Sequence, residues 1–240
     1  MSTIDAMVSA QCKRFPGESG EYRTARNKLL AAEIALRRQL EEVAALRRKL
    51  PLGGVLAQDY EFEEGGRDLD DISALGRVKF SQLFERSDAS LVIYSFMYGP
   101  KMAQACPSCT SILDSLNATA PHACQRINLV VVAKSPIERI RAHARERGWR
   151  NLRLLSSAAN SYNRDYHGED ENEAQWPALN VFARQGDQIR HCYCTELLFA
   201  PADAGQDARH VDLIWPLWNL FDFTRDGRGA NWHPKLRYGA

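Results

Sequence analysis

Apolar residues fall into a helical period at the N-terminal end of the chain and into short runs further on. Between Glu21 and Leu50, Leu29, Leu36, Val43 and Leu50 recur every seven residues, and Leu30, Leu40 and Leu46 widen the stripe. This spacing predicts a helix with one apolar face. Arg37, Arg38, Arg47 and Arg48 fall on its other faces, and Pro51 stops it. Such a helix either packs on its own domain or crosses to a second subunit. Pro51-Leu52-Gly53-Gly54 reads as a hinge.

Beyond the hinge the period changes. Tyr60 and Phe62 alternate as in a strand and run into a Gly65-Gly66 turn. Arg77 to Phe84 reads as a short strand entering a helical turn. Leu91 to Phe96 and Ile127 to Lys134 are continuous apolar runs rich in β-formers, as expected of central strands buried on both faces. A helical segment, Thr110 to Ala118, separates them. Pro136 to Arg147 reads as a second helix, with Ile137 and Ile140 inward and Gly148 as its stop. Asn151 to Ser157 is a third strand, and Asn160 to Gln175 a polar loop. Trp176-Pro177 opens two antiparallel strands, 178–184 and 188–195, joined at Gly186-Asp187. In the second of these, a period of two puts Cys192 and Cys194 on one face and His191 and Tyr193 on the other. Asp207 to Phe221 reads as a last helix, kinked or shortened by Pro216. The division expected is a lead-in over 1–20, a helix over 21–51, an α/β domain with a mixed sheet over 52–224 and an irregular tail over 225–240.

Composition narrows the partners. The 240 residues are 45% hydrophobic and 25% charged, enough to bury a core. The formal net charge of +1 does not suggest nucleic acid or an anionic membrane. No apolar run approaches the roughly 20 residues of a membrane span, and the N-terminus lacks a signal-peptide core, so the expected location is the cytoplasm. In that compartment the six cysteines do not read as a structural disulfide set. A redox pair, a metal site or buried thiols remain.

The chemistry converges on Cys106-Pro107-Ser108-Cys109, between the strand ending near Tyr98 and the helix beginning near Thr110. Free backbone N–H groups and the positive helix end favour a thiolate there. Cys106, nearer the helix start, is the candidate nucleophile, with Cys109 resolving from one turn away. Cys106, Cys109, His122 and Cys124 also contain ligand types suited to zinc or copper, but their spacing is unusual for a structural site. No metal site is therefore assigned and no cofactor is expected. His122, in an expected loop, is a candidate acid–base group near the dithiol. Asn160, Asn163, Asp165 and Tyr166 crowd a loop after a strand, where α/β folds bind ligands, and form a candidate pocket beside the dithiol. Tyr98, Pro100, Trp176 and Pro177 complete the supporting set.

The order strand, Cys-x-x-Cys helix, strand, helix, X-Pro, strand, strand, helix resembles a thioredoxin-like domain. That resemblance implies that Pro177 is cis and faces the dithiol. A closer resemblance spans nearly the whole chain. It is carried by Phe96-Met97-Tyr98-Gly99-Pro100, Cys106-Pro107-Ser108-Cys109, Pro121-His122, Gly148-Trp149, Ser156-Ser157, Asn160, Asn163, Asp165-Tyr166, His191, Tyr193, Asp222, Thr224 and Gly227-Arg228. By these motifs the chain resembles a bacterial thioredoxin-like family catalogued as a domain of unknown function (DUF899). Pro100 and Cys106-Pro107 also have the spacing of a peroxiredoxin, a relative by fold. Three residues before Cys106, however, Ala103 stands where those enzymes place a Thr or Ser hydroxyl. Peroxide reduction therefore ranks below dithiol–disulfide exchange with a protein or small-molecule disulfide. The alternatives are a metal-binding or carrier module on the same fold and an enzyme acting on a small organic substrate. The N-terminal helix is a candidate homodimer element.

Overall fold

The computed structural model describes residues 7–8, 13–196, 200–201, 203–204, 212–229 and 232–239. Cys12, and residues 207–211 of the expected last helix, lie outside that set. The chain divides into two compact units, Met1–Pro51 and Leu52–Ala240.

The first unit contains helix α1, Gly20–Lys49. Ser19 caps it by accepting from the Tyr22 N–H, Glu21 occupies its first turn, and Arg47, Arg48 and Lys49 lie in its last turn. These charges complement the helix dipole at both ends. Leu29, Leu36, Leu40, Leu46 and Leu50 are exposed, whereas Ile34 is buried.

The second unit is built on one seven-stranded sheet in the order β2-β1-β5-β4-β3-β6-β7. The strands are β1 Glu61–Gly65, β2 Leu75–Lys79, β3 Leu91–Ser95, β4 Asn128–Ala133, β5 Arg153–Ser156, β6 Ala178–Gln185 and β7 Gln188–Cys194. β3, β4 and β5 pair in parallel; the other pairings are antiparallel. The central run β4 is buried at every position, as its unbroken apolar sequence requires. Its side chains divide between two cores. Leu129, Val131 and Ala133 face the helices α2, Pro107–Ala123, and α3, Ile137–Arg147, and the Trp218 side chain of α5, Pro216–Asp222. Val130 and Val132 face an aromatic cluster of Tyr60, Phe62, Phe80, Tyr162 and Phe182. That side is closed by the 3-10 turn Phe80–Leu83 and the single-turn helix α4, Tyr162–Asp165.

Three expectations need correction. First, α2 does not end at Ala118 but runs to Ala123, with Pro121 inside its last turn. The carbonyl that Pro121 cannot reach, on Asn117, accepts instead from the Asn151 side chain at 3.1 Å. Second, among the described residues no peptide bond is cis, so Trp176–Pro177 is trans. The chain enters β6 directly, with the Trp176 N–H held by the Gly168 carbonyl and Ala178 already paired with Ser95. Third, β7 carries a bulge opposite Val181 and Phe182. Cys194 pairs with Asn180 and His191 with Phe182, leaving Cys192 as the extra residue. His191 and Cys194 therefore share a face, and the period-two assignment fails.

Candidate active site

Cys106 is the N-cap of α2, with Pro107 at the first helical position. Pro there lacks only an N–H that the helix would leave unpaired, and its fixed φ favours the turn. The cap is tied back to the strand that leads into it by the Cys106 N–H donating to the Met97 carbonyl at 3.1 Å. Both thiols are free; Cys106 is half-buried and Cys109 buried. The Cys109 S–H donates to the Cys106 sulfur, and the backbone N–H groups of Cys109 and Ser108 and the Ser108 hydroxyl add to it. Together they outweigh burial and lower the Cys106 pKa to about 6. Burial, followed by the hydrogen bond to Cys106 and then the charge on that residue, pushes Cys109 well above the usual thiol range. The Tyr94 hydroxyl, buried and without a regular hydrogen-bond partner, interacts with the Cys109 sulfur. One thiol is thus set up as a thiolate and its neighbour as a proton donor one turn deeper.

A second support comes from α3. Thr110 Oγ1 donates to the Cys106 carbonyl at 2.9 Å and lies 3.1 Å from His143 Nε2. With the hydroxyl proton committed to the carbonyl, the imidazole must donate through Nε2–H. Burial lowers the His143 pKa, which favours that neutral form. The ring is held among Phe96, Tyr98 and Trp149 at centroid distances of 5.9, 5.9 and 5.2 Å. Arg139 organises the loop before Cys106. Its guanidinium donates to the Met102 carbonyl at 2.8 Å and covers the Tyr98 ring at 4.6 Å. Thr110, His143 and Arg139 were not among the residues singled out in the sequence. Thr110 alone had a local signal, its position four residues after Cys106 on the helix.

Of the expected supporting residues, the structure gathers Tyr98 and Pro100 around the dithiol loop. Tyr98 is buried under Arg139, and the exposed Pro100 offers its carbonyl to the same guanidinium at 3.5 Å. Pro177 precedes Ala178, the partner of Ser95 near the end of β3; it is half-buried, and Trp176 is 39% exposed. His122 is a correction. It is exposed in the last turn of α2, at the end opposite Cys106. A helix of 17 residues is about 25 Å long, so His122 and Cys124 cannot join Cys106 and Cys109 around one metal. Among the described residues no group of three or more His, Cys, Asp or Glu side chains is arranged to hold a metal ion.

The polar loop is a further correction. Asn160 donates to the Glu61 carbonyl at 2.7 Å, on β1. Asp165 accepts from the Tyr60 and Ser161 hydroxyls, each at 2.7 Å. Asp165 and Tyr166 line a cavity of about 650 Å³ with Asn180, His191 and Cys194. His191 Nε2 lies 2.9 Å from Asn180 Oδ1. Tyr166 packs with the aromatic core, whereas Cys106 and Cys109 belong to the helical core. The cavity and the dithiol therefore occupy opposite faces of the sheet. The loop after β5 folds over the aromatic side because Tyr162 inserts there, fully buried.

A parallel β3–α2–β4 unit, followed by the antiparallel β6–β7 hairpin in the order β4-β3-β6-β7, with two cysteines at the start of the first helix, defines a thioredoxin-like domain. The chain belongs to the family described as bacterial protein of unknown function (DUF899), which it matches over residues 13–238. Among solved structures it is similar to Enterococcus faecalis AhpC, at 14% identity and a TM-score of 0.44, over 75% of this chain and 98% of that one. It is also similar to a Plasmodium vivax 2-Cys peroxiredoxin, at 14% identity and a TM-score of 0.46, over 72% and 99%. A third is the peroxidoxin BcpB from Mycobacterium tuberculosis, at 15% and 0.44, over 69% and 94%. No curated protein matches the chain.

Proposed function

We propose that the protein is a cytosolic dithiol–disulfide oxidoreductase in which Cys106 attacks a disulfide and Cys109 resolves the mixed disulfide. The observation that carries this reading is the placement of the two thiols, Cys106 half-buried at the N-cap of α2 and Cys109 buried one turn deeper, which draws the Cys106 pKa down to about 6 and pushes that of Cys109 up. Neutral packing cysteines have no use for that asymmetry. Peroxide reduction ranks below it, because Ala103, three residues before Cys106, supplies no hydroxyl to hold a peroxide. The test is peptide-resolved mass spectrometry of wild type and Cys106→Ser under mild oxidant. A Cys106–Cys109 disulfide in wild type, absent in the variant, is the expected outcome. Two cysteines that stay reduced under the same oxidant would refute the reading.

The exposed leucines of α1 support a homodimer through that helix. Sedimentation of the full chain should show a dimer that Leu36→Glu with Leu40→Glu converts to a monomer. The cavity at Asp165 and Tyr166 favours a second reading, an enzyme acting on a small organic molecule away from the dithiol. A thermal-shift screen of small organic molecules, repeated with Tyr166→Ala, tests it; no hit that depends on Tyr166 would count against it.

A further inference from the structure

A cleft of about 890 Å³ opens beside the dithiol, with Ala105 and Pro107, the two neighbours of Cys106, in its wall. Its volume is that of a small-molecule site. Much of the rest of its wall comes from α3 and from the C-terminal stretch, and it is cationic. Arg139 and Arg147 reach it from α3, and Lys235 and Arg237 from the C-terminal stretch.

The balance of charge decides what this wall favours. Arg147 is paired with Asp114, and Arg237 lies 3.6 Å from Glu146, the one carboxylate lining the cleft among the described residues. Among the described residues, Arg139 has only neutral acceptors: the Ser135 hydroxyl and the carbonyls of Pro100, Met102 and Ala103. Lys235 is exposed and, among the described residues, has no carboxylate partner. The tail that carries Lys235 is fixed, because Arg147 Nη1 donates to the Leu236 carbonyl at 2.9 Å. Two positive charges are thus held without a carboxylate partner among the described residues, around a concave space whose wall includes the two neighbours of Cys106. The chain as a whole is nearly neutral, at +1, so the excess is local to the cleft. A concave patch of one sign concentrates ligands of the other.

We propose that the cleft selects a low-molecular-weight disulfide bearing carboxylates as the substrate of Cys106, a proposal that rests on the dithiol-exchange reading above. The Cys106 thiolate attacks one sulfur of the disulfide. A bond forms between Cys106 and that sulfur, the substrate S–S bond breaks, and one thiolate leaves. Cys109 then gives up its proton, attacks the Cys106 sulfur and expels the second thiolate. The substrate gains two electrons and the Cys106–Cys109 pair loses two.

The test compares three disulfide probes of similar size on the reduced full-length protein: oxidised glutathione, which is anionic; hydroxyethyl disulfide, which is neutral; and cystamine, which is cationic. The readout is the rate of Cys106–Cys109 disulfide formation by mass spectrometry, divided by the rate of each probe with a free model thiol. The expected order is glutathione, hydroxyethyl disulfide, cystamine. In Lys235→Glu, the preference for oxidised glutathione over cystamine should fall about tenfold or more, and added salt should compress it in wild type. A circular dichroism spectrum and a urea midpoint like those of wild type show that the variant is folded, and its remaining reaction with hydroxyethyl disulfide shows that its dithiol is intact. Reaction with the neutral probe but no preference by charge, or a preference indifferent to Lys235→Glu, overturns the proposal and leaves dithiol exchange standing. No reaction with any probe overturns both.

Discussion

Replacing Cys109 with Ala tests the electrostatic design of the dithiol most directly. The largest contribution to the low Cys106 pKa is the hydrogen bond from Cys109. A hydrogen bond to a charged group contributes about 1.5–3 kcal/mol. At about 1.4 kcal/mol per pKa unit, its loss should raise Cys106 by about one to two units. The backbone N–H groups of Ser108 and Cys109 remain in the variant, so the rise should stop short of an ordinary thiol. The sign follows from the nucleophile being the thiolate. Cys106 alkylation by iodoacetamide should increase with pH through a midpoint near 6 in wild type and level off above it. In Cys109→Ala the midpoint should move up to about 7–8. Cys109→Ser keeps an O–H donor and should fall between the two. Peptide-resolved mass spectrometry separates Cys106 from the exposed Cys124, whose thiol is raised by burial first and by Glu85 next. A wild-type midpoint near that of a free thiol, or one unmoved by Cys109→Ala, would refute the reasoning.

Other substitutions test the scaffold, each read by urea denaturation. Phe62→Ala removes a fully buried ring that meets Tyr60, Phe80 and Tyr162, and should cost about 3–5 kcal/mol. Asp114→Ala frees Arg147 and leaves the Trp149 indole N–H, now 2.8 Å from a carboxylate oxygen, without its acceptor, for a loss of about 1–3 kcal/mol. In Gly53→Ala the new methyl carbon would lie 2.9 Å from the His191 carbonyl oxygen, a backbone atom, so the segment must shift at a cost of about 1–3 kcal/mol.

What the sequence made legible is local. The strands β3 and β4 announce themselves as unbroken apolar runs, and the dithiol is four consecutive residues whose setting follows from the strand before and the helix after. The resemblance carried by the motifs around it led to the family. What stayed hidden depends on pairing. Nothing in Gln188 to Cys194 says that Cys192 is skipped, because a bulge is defined by the partner strand. Thr110 and His143 are 33 positions apart and meet only because α2 and α3 lie on the same side of the sheet. Asp165 and Tyr166 were recognisable as a polar cluster, but which face they serve was decided by Tyr162 entering the aromatic core. Lys235 and Arg237 sit in a polar tail with no period, and their meaning appears only once Arg147 fixes that tail.

The hinge residues before β1 bear on how the chain avoids aggregation. β7 is an edge strand, and a bare edge invites another chain to pair with it. Gly53 to Leu56 runs along that edge: the Gly53 N–H bonds the His191 carbonyl, the His191 N–H bonds the Gly54 carbonyl, and the Leu56 N–H bonds the Ile189 carbonyl. The bulge at Cys192 breaks the regular ladder beyond them. The opposite edge, β2, has no such cover among its described strand pairings and relies on sequence instead, with Gly76 weakening the strand and exposed Arg77 and Lys79 making a foreign strand a poor fit. Conditions that loosen the Gly53–Leu56 strap should therefore turn β7 into the first site of intermolecular pairing, before the hydrophobic core is exposed at all.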